Sequence, residues 1–271
     1  MKRSFFSGPY ALWMIMFTIF PIVFVAIYAF QDNTGAFTLD SIARCFEGTY
    51  LKVLWRSVRL ALECTLLCLL LGYPCAYFLA SRDFSKYKTL FVLILLPMWM
   101  NFLLRTYASM SLLERNGIIN AIVTGLGFDR WNMIGTEGAV LYGMVYNYLP
   151  FMVLPIHTSL KKMDQRVIEA AQDLGANPAR VFLKVTLPLS LSGVISGITM
   201  VFMPSVTTFF IPRVLGGGNT QMFGDLIEST FLTAGDWNLG SALSLIMMVL
   251  ILISLSILRK ADPNGEGGGI A

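Results

Sequence analysis

Six stretches of this chain are too long and too apolar for water to solvate. Residues 10–30, 187–211 and 242–258 run without a charge. Residues 60–80 carry one, Glu63, and residues 139–160 hold His157 near their end. Residues 90–104 are shorter, but extend past Arg105 to residue 113. A helix of about 20 mostly apolar residues crosses a bilayer. Inside lipid every backbone N–H and C=O must find a partner within the chain, which leaves helices or a closed barrel. Barrel strands alternate apolar and polar residues, whereas these runs are continuous. The sequence therefore predicts an all-α integral membrane protein with six transmembrane helices. Composition agrees: 13% of residues are charged, against about 25% in a soluble domain.

Basic residues set the orientation. Lys2, Arg3, Arg82, Lys86, Lys88, Lys161, Lys162, Arg166, Arg180, Lys184, Arg259 and Lys260 would share one side. The other side and the span ends hold Arg44, Lys52, Arg56, Arg59, Arg105, Arg115, Arg130 and Arg213. The richer set marks the cytoplasm, so both termini are expected there, with Cys45 outside. The apolar stretch after Met1-Lys2-Arg3 is too long for a signal-peptide core and lacks a small-x-small cleavage site, so it reads as a retained first span. The expected organisation is a cytoplasmic start, first span and outer loop (1–56), a membrane domain (57–258) and a disordered tail (259–271).

Several classes of chemistry find no footing. There is no G-x-x-x-x-G-K-[ST] phosphate loop, H-E-x-x-H or G-x-S-x-G, and Gly216-Gly217-Gly218 lacks the following Lys. His157 is the one histidine, and it reads as an interfacial polar residue. Cys64 and Cys68 are one helical turn apart, but no His or carboxylate joins them, so apolar packing is expected rather than a metal. A membrane enzyme thus lacks a visible active site. An ion-coupled secondary transporter would want midplane carboxylates, and Glu63 is the one acid within a span, near its outer end.

Polar groups inside spans are costly and tend to face a cavity or glue helices together. Trp99, Asn101, Arg105 and Tyr107 mark the third span, Tyr146, Asn147 and Tyr148 the fourth, and Ser205, Thr207 and Thr208 the fifth. As a set, Trp99, Asn101, Tyr107, Tyr146 and Asn147 read as a lined solute path, with Asp225, Asp236 and Trp237 before the last span at its entrance. Pro97, Pro150, Pro155 and Pro204 interrupt spans three, four and five. Gly193-Val194-Ile195-Ser196-Gly197 is a close-packing G-x-x-x-G.

One segment between spans carries a specific pattern: Glu169-Ala170-Ala171, three residues, Gly175, then Val185-Thr186-Leu187-Pro188. Residues 163–174 read as a short helix ended by a left-handed Gly175. Asn177 then caps a second short helix with Pro178 at its first position. This pattern resembles the cytoplasmic loop by which permease subunits of bacterial ABC importers grip their ATPase. Leu96-Pro97-Met98-Trp99-Met100-Asn101, running on to Ala108, is similar to the spermidine/putrescine ABC transporter permeases of PotB type. So are Leu71-Gly72-Tyr73-Pro74, Leu149-Pro150-Phe151-Met152, Leu215-Gly216-Gly217 and the stretch from Asp236 to Ala242. Asn238 stands where that pattern expects Pro, and Val185 where it expects Ile.

The resemblance implies a type I, MetI-like importer fold in a bacterial inner membrane, moving polyamines inward by alternating access. It implies a second, distinct permease of PotC type, two copies of an ABC ATPase and an extracytoplasmic solute-binding protein. ATP and Mg would be bound by that ATPase, with no cofactor, metal or nucleic acid in this chain. The loop at about 161–186 would couple the ATPase through Glu169, Ala170, Ala171, Asp173, Leu174 and Gly175. Permeases for other small solutes share the loop, so another cargo stays open.

Overall fold

The computed structural model describes residues 12–32, 34–81 and 88–261. The expectations placed on Tyr10, Lys2, Arg3, Arg82, Lys86 and the last ten residues of the tail lie outside them. Among the described residues four helices are long and apolar enough to cross a bilayer: α1 (Leu12–Ala29), α3 (Gly48–Ala80), α7 (Glu137–Lys162) and α13 (Trp237–Ala261). Two bent pairs supply the remaining spans, if each pair counts as one. The first is α4 (Lys88–Trp99) with α5 (Phe102–Leu113) and the short α6 (Ile118–Gly125). The second is α9 (Pro178–Leu189) with α10 (Leu191–Thr207). Short helices α2 (Asp40–Cys45), α8 (Gln165–Asp173), α11 (Phe210–Leu215) and α12 (Phe223–Ser229) connect them. Among the described residues the only bridge-like pairing is Gln31 with Phe37.

The core is the mutual packing of α3, α7 and α10. Leu60, Cys64, Cys68, Met144, Met152, Ile156 and Val201 fill it. Close approach is set by glycine. A Cβ on Gly193 would lie 2.5 Å from the Ser159 Cβ and 2.8 Å from the Pro155 carbonyl oxygen. One on Gly197 would lie 2.7 Å from the Met152 sulfur. The G-x-x-x-G is therefore the seam between α10 and α7. Cys64 and Cys68 belong to the same core, their sulfurs 4.0 Å apart and Ser205 Oγ 3.7 Å from Cys64. A second cluster joins Ala29 of α1 and Cys45 of α2 to Leu239, Ala242, Leu243 and Met247 of α13. Little of α1 is buried within the chain, so its apolar surface is left to lipid or a partner.

Four sequence expectations change. The third span does not run straight: its two halves meet at 104°. Pro97 removes a backbone donor near the end of α4, and the Asn101 side chain restarts the chain as α5, its oxygen accepting from the Leu103 N–H at 2.8 Å. The fifth run divides at Ser190, with a 63° bend, and again after Thr207. The fourth span is not broken, for α7 continues through Pro150 and Pro155. The second helix starts at Gly48, well before residue 60, which places Glu63 near its middle rather than near an end. Charge pairing permits that extension: Arg56 lies 3.4 Å from Glu137, Arg59 also pairs with Glu137, and Arg59 lies 3.6 Å from Glu63.

Cys45 differs too. It is 3% exposed, and burial pushes its thiol up to about 11. The thiolate is the reactive form, so outward placement would not make this thiol available. A membrane-impermeant thiol reagent is expected to leave Cys45 unlabelled in intact cells and after gentle lysis, and to label it once the chain is unfolded. Rapid labelling of the folded protein would contradict its burial beneath α13.

The candidate coupling loop and solute path

The loop after α7 is built from local signals. Glu137 in the first turn of α7 and Lys161 and Lys162 in its last match the helix dipole at both ends. The helix stops at Met163, and Asp164 starts α8 by accepting from the Arg166 N–H at 3.0 Å. That start falls two residues later than the sequence predicted. At the other end, Gly175 has φ of 79°. Its N–H bonds the Gln172 carbonyl at 2.9 Å, and the Ala176 N–H bonds the Ala171 carbonyl at 3.1 Å. Those two bonds are the Schellman pair that closes a helix around a left-handed residue. Asn177 Oδ1 then accepts from the Arg180 N–H at 2.8 Å, with Pro178 at the first helical position.

No residue of α8 is buried. Glu169, Ala170, Asp173 and Gly175 are exposed, Ala171 is half-buried and Leu174 is 89% exposed. The helix is therefore displayed, not absorbed into the core. It packs against the start of α9, and a groove of about 280 Å3 lies between it and the ends of α3 and α7, lined by Tyr77, Ser81, Leu160, Ile168 and Glu169 among others. Small Ala170 and Ala171 let a second protein approach α8 closely.

The expected path residues do not all meet. At the corner where α5, α7 and α11 pack, Tyr107 stands edge-on to Phe210 with centroids 5.6 Å apart. Tyr146 stacks on Tyr142 at 6.4 Å. Asn147 is fully buried, its amide N–H bonding the Gly143 carbonyl at 2.8 Å while its Oδ1 has no partner. Trp99 and Asn101 sit at the α4–α5 break instead, and Trp99 is 83% exposed. Asp236 and Trp237 begin α13 on the side of α1. Trp237 packs against Tyr28 and Phe231. Asp236 caps α13 through the Leu239 N–H at 3.0 Å and pairs with Arg44 at 3.2 Å. Asn238 donates to the Gln31 carbonyl, a bond that the proline of the related pattern could not make.

The group that the sequence undervalued is Arg105. It is 5% exposed, and its Nε and one terminal nitrogen lack hydrogen-bond partners. It stands within electrostatic reach of Tyr146 and Tyr148. A buried cation without a counter-charge is costly. Its signal in the sequence was an arginine inside an apolar run, which a hydropathy reading treats as a span end.

The acids expected at the entrance are already partnered. Arg213 lies 3.5 Å from Asp225 and 2.5 Å from Glu228. Burial raises the Asp225 carboxyl above its ordinary value; Arg213 opposes the rise and Glu228 adds to it. A raised folded-state value means that the folded state holds the proton longer than the unfolded one, so stability falls as pH rises through that window. Asp225→Asn is expected to remove that pH dependence and to leave thermal stability at neutral pH equal or slightly higher. A marked loss of stability at neutral pH would show that the ionised pair with Arg213 outweighs the burial.

The site is thus a displayed helix on a helical membrane core. Comparisons place it further. The profile of the binding-protein-dependent transport system inner membrane component family matches residues 69–264, and the chain belongs to that family. It is 35% identical to the spermidine/putrescine transport system permease protein PotB of Haemophilus influenzae, covering 92% of this chain and 90% of that one. It is 33% identical to PotB of Escherichia coli, covering 92% and 94%. The inner membrane ABC transporter permease protein YdcU of Escherichia coli is more distant, at 25% identity over 93% and 87%. Among solved structures, a chain of a bacterial alginate ABC transporter, in complex with an alginate-pentasaccharide-bound periplasmic protein, superposes with a TM-score of 0.77 at 16% identity, covering 96% of this chain and 93% of that one. A chain of the MetNI methionine ABC transporter superposes at 0.58 and 17%, covering 78% and 95%. The fold is thus that of ABC importer permeases, and the protein is a multi-pass inner-membrane transport subunit.

Proposed function

We propose that this subunit carries linear polyamines such as spermidine and putrescine into the cytoplasm. The carrying observation is one-third identity to the PotB permeases over nine-tenths of both chains. Fold alone does not select a cargo, since a neighbour of the same fold belongs to a transporter of alginate, an acidic polysaccharide. Local chemistry supports the choice in part. Tyr107, Tyr146 and Tyr148 offer ring faces, and an ammonium over a ring gains roughly 0.5–2 kcal/mol. Asn147 Oδ1 is a buried acceptor awaiting a donor. Arg105 opposes a cation, and the entrance acids are neutralised by Arg44 and Arg213. Selectivity on this reading resides in the delivering protein, and the permease passes the solute without holding it tightly.

The partners follow the same reading: a distinct PotC-type permease, two copies of an ABC ATPase that binds ATP and Mg, and an extracytoplasmic solute-binding protein. The loop at 161–186 faces the cytoplasm together with both termini, and α8 is the ATPase seat through Glu169, Ala170, Ala171, Asp173, Leu174 and Gly175. Two measurements test this. An ATPase should co-purify with the permease. The neighbouring binding protein should bind spermidine or putrescine in preference to amino acids. Preference for an amino acid or an anion overturns the polyamine assignment and leaves the importer assignment in place.

A further inference from the structure

The chain leaving the coupling loop passes two soft points before it joins the core. One is the wide π-type turn Phe182–Thr186, the other the 63° bend at Ser190. Such turns and bends absorb displacement, so a push on α8 would be dissipated there unless something spans them. Side chains of α3 span both. At the start of the wide turn, Phe182 stands edge-on to Tyr73 and to Tyr77, each at 88°, with centroids 5.7 and 5.5 Å away. At the bend, the Tyr73 and Ser190 hydroxyl oxygens lie 2.8 Å apart in a buried contact. Ser190 also donates to the Leu187 carbonyl at 3.1 Å. A serine has one proton to give, so the tyrosine hydroxyl donates to Ser190 Oγ and the serine passes its own proton to Leu187. Tyr73 thus touches the exit segment on both sides of the soft region. The contact joins residues 117 positions apart, whose one shared feature is this junction.

We propose that Tyr73, Tyr77, Phe182 and Ser190 form a clasp that makes α3 follow the coupling loop, with Tyr73 and Ser190 as positioning residues for energy transmission. The inference rests on the importer reading of α8. It concerns neither ATPase docking nor solute contact: none of the four belongs to α8 or to the expected solute path, and Tyr77 meets α8 only across the groove.

The test uses the complete transporter in proteoliposomes, with spermidine-loaded binding protein as the probe, and reads spermidine moved per ATP hydrolysed. Tyr73→Phe and Ser190→Ala each remove one oxygen and keep the shape. Each is expected to lower the ratio about three- to tenfold, the range a single buried hydrogen bond commands, while ATP hydrolysis per assembled complex stays within about twofold. The double variant is expected to be no worse than the Ser190→Ala single, because that change already breaks the shared bond and the bond to Leu187, and Tyr73→Phe then removes only the hydroxyl it orphaned. A weaker fold alone would lower hydrolysis and transport together and leave the ratio unchanged. An unchanged ratio in both singles, or losses that multiply in the double, overturns the clasp. If the parent complex moves no spermidine but responds to another loaded binding protein, the cargo reading fails, and the same ratio measured with that solute decides the clasp.

Discussion

Gly175→Leu is expected to leave the permease in the membrane while lowering both transport and solute-stimulated ATP hydrolysis by about tenfold or more. Nothing lies within 4 Å of where a Cβ would sit at Gly175, so the effect is not a clash. It is conformational: φ of 79° costs a side-chain-bearing residue roughly 1–2 kcal/mol, and a branched one more. The two Schellman bonds depend on that φ, and with them the direction in which α8 leaves the membrane surface. A displayed helix has no burial to hold it in place, so a change of that size redistributes its positions by a factor of about 5–30. Glu169→Lys reverses a charge on the same helix and is expected to act in the same direction without disturbing the turn. Measurement is by membrane abundance, ATPase co-purification and uptake in parallel. Parent-like uptake by either variant at parent-like abundance would show that the loop is not the coupling element.

Gly193→Leu is expected to prevent accumulation of the folded permease. At this seam even the first added carbon meets the Ser159 side chain at 2.5 Å and the Pro155 backbone oxygen at 2.8 Å, and backbone cannot rotate away. Gly193→Ala alone should cost about 1–3 kcal/mol, the usual penalty for overpacking a filled core. It should appear as a lower melting temperature of the purified complex with coupling intact where the protein survives. That pattern is the opposite of the one expected at Gly175, where coupling is lost and the fold persists. A Gly193→Leu permease with parent-like yield and melting temperature would mean that α7 and α10 do not meet at this seam.

The contrast between the two glycines shows what the sequence could reveal. The membrane spans were legible because lipid imposes one solvent on a whole helix, and long apolar runs have few other uses. The turn after α8 was legible because all its signals are local: Gly175, Asn177 and Pro178 each act on the backbone within three residues. The break at Asn101 was hidden because the run is apolar on both sides of it, and hydropathy does not register a side chain that caps. The early start of α3 was hidden because Arg56 and Arg59 read as a span end until Glu137, 78 residues from Arg59, supplies their partner. The burial of Cys45 under α13 and the Tyr73–Ser190 contact are tertiary facts with no local trace. For the solute path, residue type was a poor guide to place. Tyr107, Tyr146 and Asn147 belong to helices that meet, whereas Asp236 and Trp237 are occupied in holding α13 to α1 and to Arg44.

The most direct measurement is uptake of labelled spermidine and putrescine by a strain lacking its own polyamine importers and supplied with this permease and its neighbouring transport genes. Uptake well above background, abolished by Gly175→Leu and by loss of the ATPase, is the expected result. Background uptake of both polyamines, with accumulation of a neutral or anionic solute instead, would contradict the polyamine assignment.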